Sequence, residues 1–336
     1  MMQVQPAPRI AVPDAVDPST LRSFDRNARV IQLDGKTMGT TWQVRAALSA
    51  ALPLTTAELQ ALIEARLDSI VRDMSHWDQA SSLSRFNLSP AGSVFALSAD
   101  FARVMTAAVA IAEASGGAFD PAIGRLTDRW SLGPNRYHHA PDQPGIRQAL
   151  ARSDWRQLSF NHQQSTLQQP GGVWLDLSGI AKGFAVDAVV DLLAEMDVRH
   201  CLVEIGGECI GRGLRPDGDP WWVDIENPPH ANLRGIRLAL HQLAVATSGD
   251  YLRGAHSVDP QTGQLAIHAT SAVTVIHSSC MHADAWATAL GVAQPPLARS
   301  LARNHDIAVR IVERDGTEWL SDRLCAMIAE PETAHR

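Results

Sequence analysis

The chain has 336 residues, 45% hydrophobic and 19% charged, the composition of an ordinary soluble globular protein with material for a substantial core. A net charge of −7 leaves no basic excess to neutralise a nucleic-acid backbone, although a small phosphorylated ligand needs only one or two local cations. No apolar run approaches the roughly 20 residues that span a bilayer, and the four cysteines form neither a CxxC pair nor a zinc spacing.

Residues 1–29 carry four prolines and scattered charges, with no basic stretch leading into an apolar one and no cysteine placed for lipidation. They read as a flexible leader, and the chain as given reads as cytoplasmic. Residues 330–336 read as a tail, leaving 30–329 as a single folded domain. Arg29 to Leu48 predicts two strands around an Asp34-Gly35 turn. Thr55 to Met74 has helical spacing, with Leu59, Leu62, Ile63, Leu67, Ile70 and Val71 on one face. A polar segment, Ser75 to Asn87, holds Trp77 and Phe86. Ala99 to Ser115 predicts a second helix, ended by Gly116-Gly117.

Residues 131–172 are rich in Pro, Gln and His and read as a bridge, with a short helix near Pro144 to Ser153. His138 and His139 have no acidic or cysteine neighbours there and read as solvated loop. The second half predicts a buried strand at Val173 to Leu177 and a helix at Ile180 to Met196. Strands follow at Cys201 to Ile205, Glu208 to Gly213, Trp221 to Glu226, Ile236 to Leu240, Leu243 to Ser248 and Ser271 to Ile276. Helices at Ala283 to Gly291 and Arg299 to Arg303, then a strand at Asp306 to Glu313, complete the pattern. Strands that follow one another directly, without βαβ alternation, predict an α+β fold with largely antiparallel or mixed sheets flanked by helices. A hairpin turn at Gly206-Gly207 would set Glu204 opposite Cys209 and Cys201 opposite Arg212. A Cys201–Cys209 disulfide is then out of register, and buried reduced thiols are expected.

Four segments carry chemistry. In WLDLSGIAKGFAVD (Trp174 to Asp187), Asp176 precedes a Ser-Gly turn and Lys182 sits in the first turn of a helix. A lysine at a positive helix end is unfavourable unless an anion lies nearby, and free N–H groups at that end cradle anions. Helix capping by Ser178 is the plainer alternative. In HADAWATAL, Asp284 and Thr288 are four apart and share a helix face, offering hard oxygens suited to Mg²⁺; on spacing alone, a first-turn structural Asp and a buried hydroxyl bonding a backbone carbonyl are the favoured reading. GGAFDP (Gly116 to Pro121) combines paired glycines with Phe119, as a ligand-binding loop or a plain helix–strand connection would. His256, ahead of the Asp259-Pro260-x-Thr262-Gly263 turn, suits proton transfer or strand capping alike. Gly206 to Gly213 has P-loop glycine spacing without the Lys-Ser/Thr pair, and reads as a close-packed turn.

Taken in order, these segments resemble the ApbE family of FAD:protein FMN transferases, or flavin transferases. The resemblance spans about Val30 to Ala329: MGTTW at Met38, MSHWDQASSLSRFN at Met74, GGAFDPAIGRL at Gly116, DLSGIAKGFAVD, EIGGE at Glu204, ATSGDY at Ala246, HSVDPQTG and ADAWATAL. It implies two interlocked subdomains around one cleft. It also implies Mg²⁺-dependent transfer of the FMN half of FAD to a Ser or Thr of an acceptor flavoprotein through a phosphoester bond, with release of AMP. FAD hydrolysis to FMN and AMP, and FAD carriage without catalysis, are the alternatives. By position, Met38, Trp77, Ala118, Phe119, Asp120, Asp176, Lys182 and Val258 resemble the flavin-nucleotide contacts. Trp77 stands where relatives often carry Tyr. Gly179, through its carbonyl, and Asp284 and Thr288, through their side chains, resemble the metal ligands; Ala287 stands where some relatives place a second Asp. His256, Lys182 and Asp284 are the catalytic candidates, with Asp259 an alternative base.

Overall fold

A computed structural model describes residues 7–251 and 254–329. In chain order, its first half contains β1 (Arg9–Ala11), β2 (Arg29–Thr37), β3 (Thr40–Leu48), α1 (Thr56–Met74), α2 (Ser82–Leu88), β4 (Val94–Ala96), α3 (Ala99–Ala114), α4 (Gly124–Arg129), α5 (Gln143–Leu150), β5 (Ser159–Asn161) and β6 (Thr166–Gln168). The second half contains α6 (Ala181–Glu195), β7 (Cys201–Ile205), β8 (Glu208–Arg212), β9 (Trp221–Ile225), β10 (Ile236–Leu240), β11 (Leu243–Gly249), β12 (Thr270–His277), α7 (Cys280–Val292), α8 (Pro295–Asn304), β13 (Ala308–Glu313), β14 (Glu318–Leu320), α9 (Asp322–Met327) and β15 (Ile328–Ala329). The fold is α+β, as the direct succession of strands predicts.

An eight-stranded sheet runs β14-β13-β12-β11-β8-β7-β3-β2, and every neighbouring pair in it is antiparallel. One face packs beneath helices; the other is covered from β7 to β13 but exposed along β2 and β3, where Val30, Gln32, Asp34, Thr41 and Arg45 reach solvent. In β7, Cys201, Val203 and Ile205 join the core beneath α1, α3, α6 and α7, whereas Leu202 faces a second apolar layer. That second layer lies against a four-stranded sheet, β15-β1-β10-β9, through Trp221, Ile225, Ile236, Leu238 and Leu240. The period-2 alternation of side chains thus feeds two cores from one strand. A small sheet, β4-β6-β5, occupies part of the segment expected to be a bridge. Among the described residues, no helix is long and apolar enough to cross a membrane.

Several local expectations are corrected. The leader does not stay unstructured to Arg29, because β1 pairs in parallel with β10 and antiparallel with β15. Residues 1–6 and the expected tail at 330–336 lie outside the described residues. The first hairpin turns at Met38-Gly39, both with positive φ (47° and 72°), not at Asp34-Gly35. Gly35 instead sits in the ladder opposite Trp42, where a Cβ would lie 2.6 Å from the Trp42 indole nitrogen.

The predicted strand at Val173 to Leu177 is an extended buried segment with one bridge, Trp174 to Ile123. Its backbone is satisfied by side chains instead. Asn87 both accepts from Leu175 N (2.7 Å) and donates to Leu175 O (2.9 Å), and Gln169 donates to Val173 O (3.0 Å). Glu204 pairs with Cys209 and Cys201 with Arg212, and the cysteines are free. Burial pushes the Cys201 thiol up to about 12. Cys209 and Cys280 are also buried, whereas Cys325 is exposed. His138 and His139 lie in an exposed loop, as expected.

Candidate active site

One cavity of about 610 Å³ lies among the extended 173–179 segment, the first turn of α6, the face of α7, the ends of β8, β9 and β11, and the 116–132 and 256–260 loops. Ala118, Phe119, Asp120, Asp176, Gly179, Lys182, His256, Val258, Asp284 and Thr288 all line it. Met38, Trp77 and Ala287 do not. Met38 occupies the hairpin turn, Ala287 is enclosed in the core, and Trp77 is 54% exposed, its ring tilted against that of His76.

Lys182 is the second residue of α6, whose cap position, Ile180, makes no side-chain capping bond. Ser178 does not cap this helix. It donates from both its backbone N (2.9 Å) and its hydroxyl to Asp176 Oδ1. Thr127 donates to Asp176 Oδ2 at 2.7 Å, and His76 Nδ1 lies 3.5 Å from Oδ1. Burial alone would raise Asp176, but His76, Ser178 and Thr127 outweigh it and hold the carboxyl below its ordinary range. Asp176 and Thr127 also line a smaller cavity of about 110 Å³, into which His76 and Trp174 project. The His76 Nε2 and Trp174 Nε1 atoms are buried there without a described partner.

The α6 mouth is not an open cradle. Gly183 N donates to Asp284 Oδ2 at 2.9 Å, so one of its free N–H groups already holds a carboxylate from α7. The two helices approach so closely that a Cβ on Gly183 would lie 2.3 Å from Cys280 O. Asp187, a turn further along α6, accepts from Ser279 Oγ (2.6 Å), Cys280 N (2.9 Å) and Met281 N (3.0 Å), which caps α7.

Lys182 Nζ forms an ion pair with Glu208 Oε1. Burial pulls the lysine down, yet the Asp284 and Glu208 carboxylates outweigh it and keep the ammonium above its ordinary value. Burial pushes Glu208 up to about 7 and raises Asp284 as well; Lys182 opposes both shifts. Glu208 Oε2 is a buried oxygen without a described partner. A Cβ on Gly179 would lie 2.8 Å from Thr288 Oγ1, so only glycine lets this turn close against the α7 face that carries Asp284 and Thr288. A buried carboxylate, a hydroxyl and a nearby turn backbone form a hard-oxygen donor set suited to a divalent cation of the Mg²⁺ type.

Asp120 accepts from Ala122 N (2.7 Å) and Trp155 N (3.1 Å), and burial raises its carboxyl to about 6. His256 is exposed, with Nδ1 2.9 Å from Gly254 O. A carbonyl can only accept, so the proton lies on Nδ1 and the neutral ring keeps Nε2 as its basic atom. Asp259 turns away from this chemistry. It accepts from Gln261 N and Thr262 Oγ1, both at 2.8 Å, and is absent from the cavity lining.

The ApbE family model matches residues 38–311. The chain belongs to the ApbE family. The FAD:protein FMN transferase of Haemophilus influenzae is 33% identical to it, covering 94% of this chain and 95% of its own. The Escherichia coli K12 protein of the same name is 31% identical over 87% of both chains. The flavin transferase ApbE from Vibrio cholerae superposes with a TM-score of 0.83 at 32% identity, over 89% of this chain and 99% of that one. The apo Pseudomonas stutzeri flavinyl transferase ApbE superposes with the same score and identity, over 90% of this chain and 98% of that one.

Sequence patterns do not single out Glu208 and Thr127, which line this cavity, or His76, which reaches Asp176 from the smaller one beside it. Glu208 had only a local cue, a lone carboxylate opening the otherwise uncharged run ECIG. His76 and Thr127 had none, since they reach Asp176 from 100 and 49 residues away in the chain.

Proposed function

We infer that the protein transfers the FMN half of FAD to a Ser or Thr hydroxyl of an acceptor flavoprotein, releasing AMP, with Mg²⁺ as its cofactor. The observation that carries this reading is the convergence of Lys182, Asp284, Thr288 and His256 on one cavity in a chain of the ApbE family. Asp284 and Thr288, with the Gly179 carbonyl, would hold the Mg²⁺. When bound, that ion supplies charge neutralisation at the pyrophosphate.

Lys182 and the positive end of α6 stabilise the negative charge of the pyrophosphate and of departing AMP. Glu208 holds the lysine ammonium in place. Asp176, braced by Ser178 and Thr127, offers a fixed carboxylate for donor groups of the nucleotide, and Phe119 and Val258 supply apolar surface. His256 Nε2 takes the acceptor proton. The hydroxyl oxygen then bonds the FMN phosphorus, the anhydride P–O bond breaks, and AMP leaves with the bridging oxygen.

The test combines purified protein, FAD and Mg²⁺ with and without co-expressed candidate acceptors. AMP is assayed, and covalent flavin is read by fluorescence in a denaturing gel. Acceptor-dependent AMP release with a fluorescent acceptor band is expected. Rapid FMN and AMP formation without acceptor would make the protein a pyrophosphatase, and intact FAD would make it a carrier. Asp284→Ala should abolish AMP release; turnover near that of the unaltered protein would remove Asp284 from the metal site.

A further inference from the structure

The cavity carries more open backbone than a nucleotide needs. In the sheet order β15-β1-β10-β9, β9 has a single neighbour, β10, paired from Trp221–Leu240 to Ile225–Ile236. No other described strand, and no described backbone hydrogen bond, occupies the outer edge of β9. Val223 to Ile225 of β9, and Glu226 directly after it, line the cavity as four consecutive residues. Successive side chains on a strand point to opposite faces, so four in a row mark the backbone edge, not one face, as the surface looking into the cavity.

Lys182 is the lone Lys or Arg among the described lining residues and sits in α6 beside Glu208 and Asp284, whereas the β9 stretch contributes Asp224 and Glu226 and no cation to the lining. Asp224 is paired with Arg237, and Glu226 accepts a hydrogen bond from Tyr251 (3.3 Å) with no ion-pair partner among the described residues. A pyrophosphate finds its one lining cation at Lys182 and none on the β9 stretch. A peptide backbone needs no such cation, and an unpaired strand edge supplies the amides and carbonyls it requires.

We propose that the acceptor protein presents its target Ser or Thr on an extended segment that adds as a strand to the open edge of β9. The proposal rests on the flavin-transfer reading. The β9 edge fixes the direction and register of the acceptor chain, which brings every second side chain to the cavity side and the target hydroxyl to the phosphorus. Glu226 favours a basic residue near that hydroxyl.

The test uses the full chain and a synthetic twelve-residue peptide spanning the flavin-bearing residue of an acceptor labelled in the co-expression experiment. A single backbone N-methyl group is placed at each position in turn. Strand addition predicts a period of two: methylation at alternate positions lowers transfer kcat/KM about tenfold, the scale of one lost hydrogen bond, and the positions between change little. FAD affinity, read by flavin fluorescence quenching, stays constant throughout because only the peptide is altered. Losses without a two-residue period, or confined to side-chain replacements, would overturn strand addition while leaving flavin transfer intact. Failure of any acceptor to become labelled would overturn the flavin-transfer reading and this proposal with it.

Discussion

Lys182 is proposed to serve the ligand more than the fold. Its ammonium sits between two buried carboxylates, Glu208 and Asp284, at the end of a helix that disfavours cations. Lys182→Met should lower FAD-dependent AMP release by about a hundredfold, the scale of losing one electrostatic stabiliser. It should cost the fold no more than about 3 kcal/mol, because the stranded Glu208 can take up a proton. Adding Glu208→Gln should restore much of the stability, measured by urea denaturation, and none of the activity. AMP release within about threefold of the unaltered protein would remove Lys182 from the pyrophosphate site.

Asp120 gives a second residue-scale expectation. Its carboxyl is raised from the ordinary 3.8 to about 6, so the folded state binds the proton more tightly than the unfolded chain. The resulting stabilisation is fully present below about pH 4 and is lost as pH rises through about 6, an effect on the order of 2–3 kcal/mol. Asp120→Asn should therefore flatten this part of the stability–pH curve relative to the unaltered protein, measured by denaturant midpoints from pH 4 to 7.

At the scale of elements, the pair α6–α7 is the frame of the site. Asp187 caps α7, Gly183 N meets Asp284, and the missing side chain of Gly183 permits the close crossing. Gly183→Ala would gain up to about 1 kcal/mol of helix propensity. Overpacking against Cys280 O should exceed that, at about 1–3 kcal/mol, and should shift Asp284 as well. Lower denaturant midpoint together with weakened Mg²⁺-dependent AMP release is expected; a stabilised, fully active variant would show that the crossing is loose.

Both helices were legible in the sequence because they are long and apolar on nearly every side. Their contact was not, since a glycine chosen for close approach looks like any other glycine. The Asp34-Gly35 turn misled for the same reason: Gly35 is there to make room for Trp42, and the turn belongs to Met38-Gly39. The Val173–Leu177 run is extended and largely buried, as its apolar residues predict. Its lack of a sheet partner was hidden because Asn87 and Gln169, distant polar residues, do the work of neighbouring strands.

For the whole molecule, the part least visible in the sequence is the four-stranded sheet. β1 is three residues long between prolines, and its partners are more than 200 residues away, so no local pattern announces it. Arg9 adds a long-range tie, bonding Glu318, which also accepts from buried Arg310. Removing residues 1–12 should expose the edge of β10 and lower Tm by about 5 °C or more, measured by calorimetry. An unchanged Tm would show that β1 merely rests on the sheet.

That sheet has a consequence in time as well as in space. β9, which edges the cavity, is braced through β10 and β1 by β15, the last strand described. A nascent chain emerging from the ribosome can assemble α6, β7 and β8, and with them Lys182 and Glu208, long before β15 exists to close on β1. This closure joins residues more than 300 positions apart, the kind of non-local pairing that slows folding. The wall proposed to receive the acceptor is therefore complete only after β15 has been made, later in the chain than the residues around Lys182.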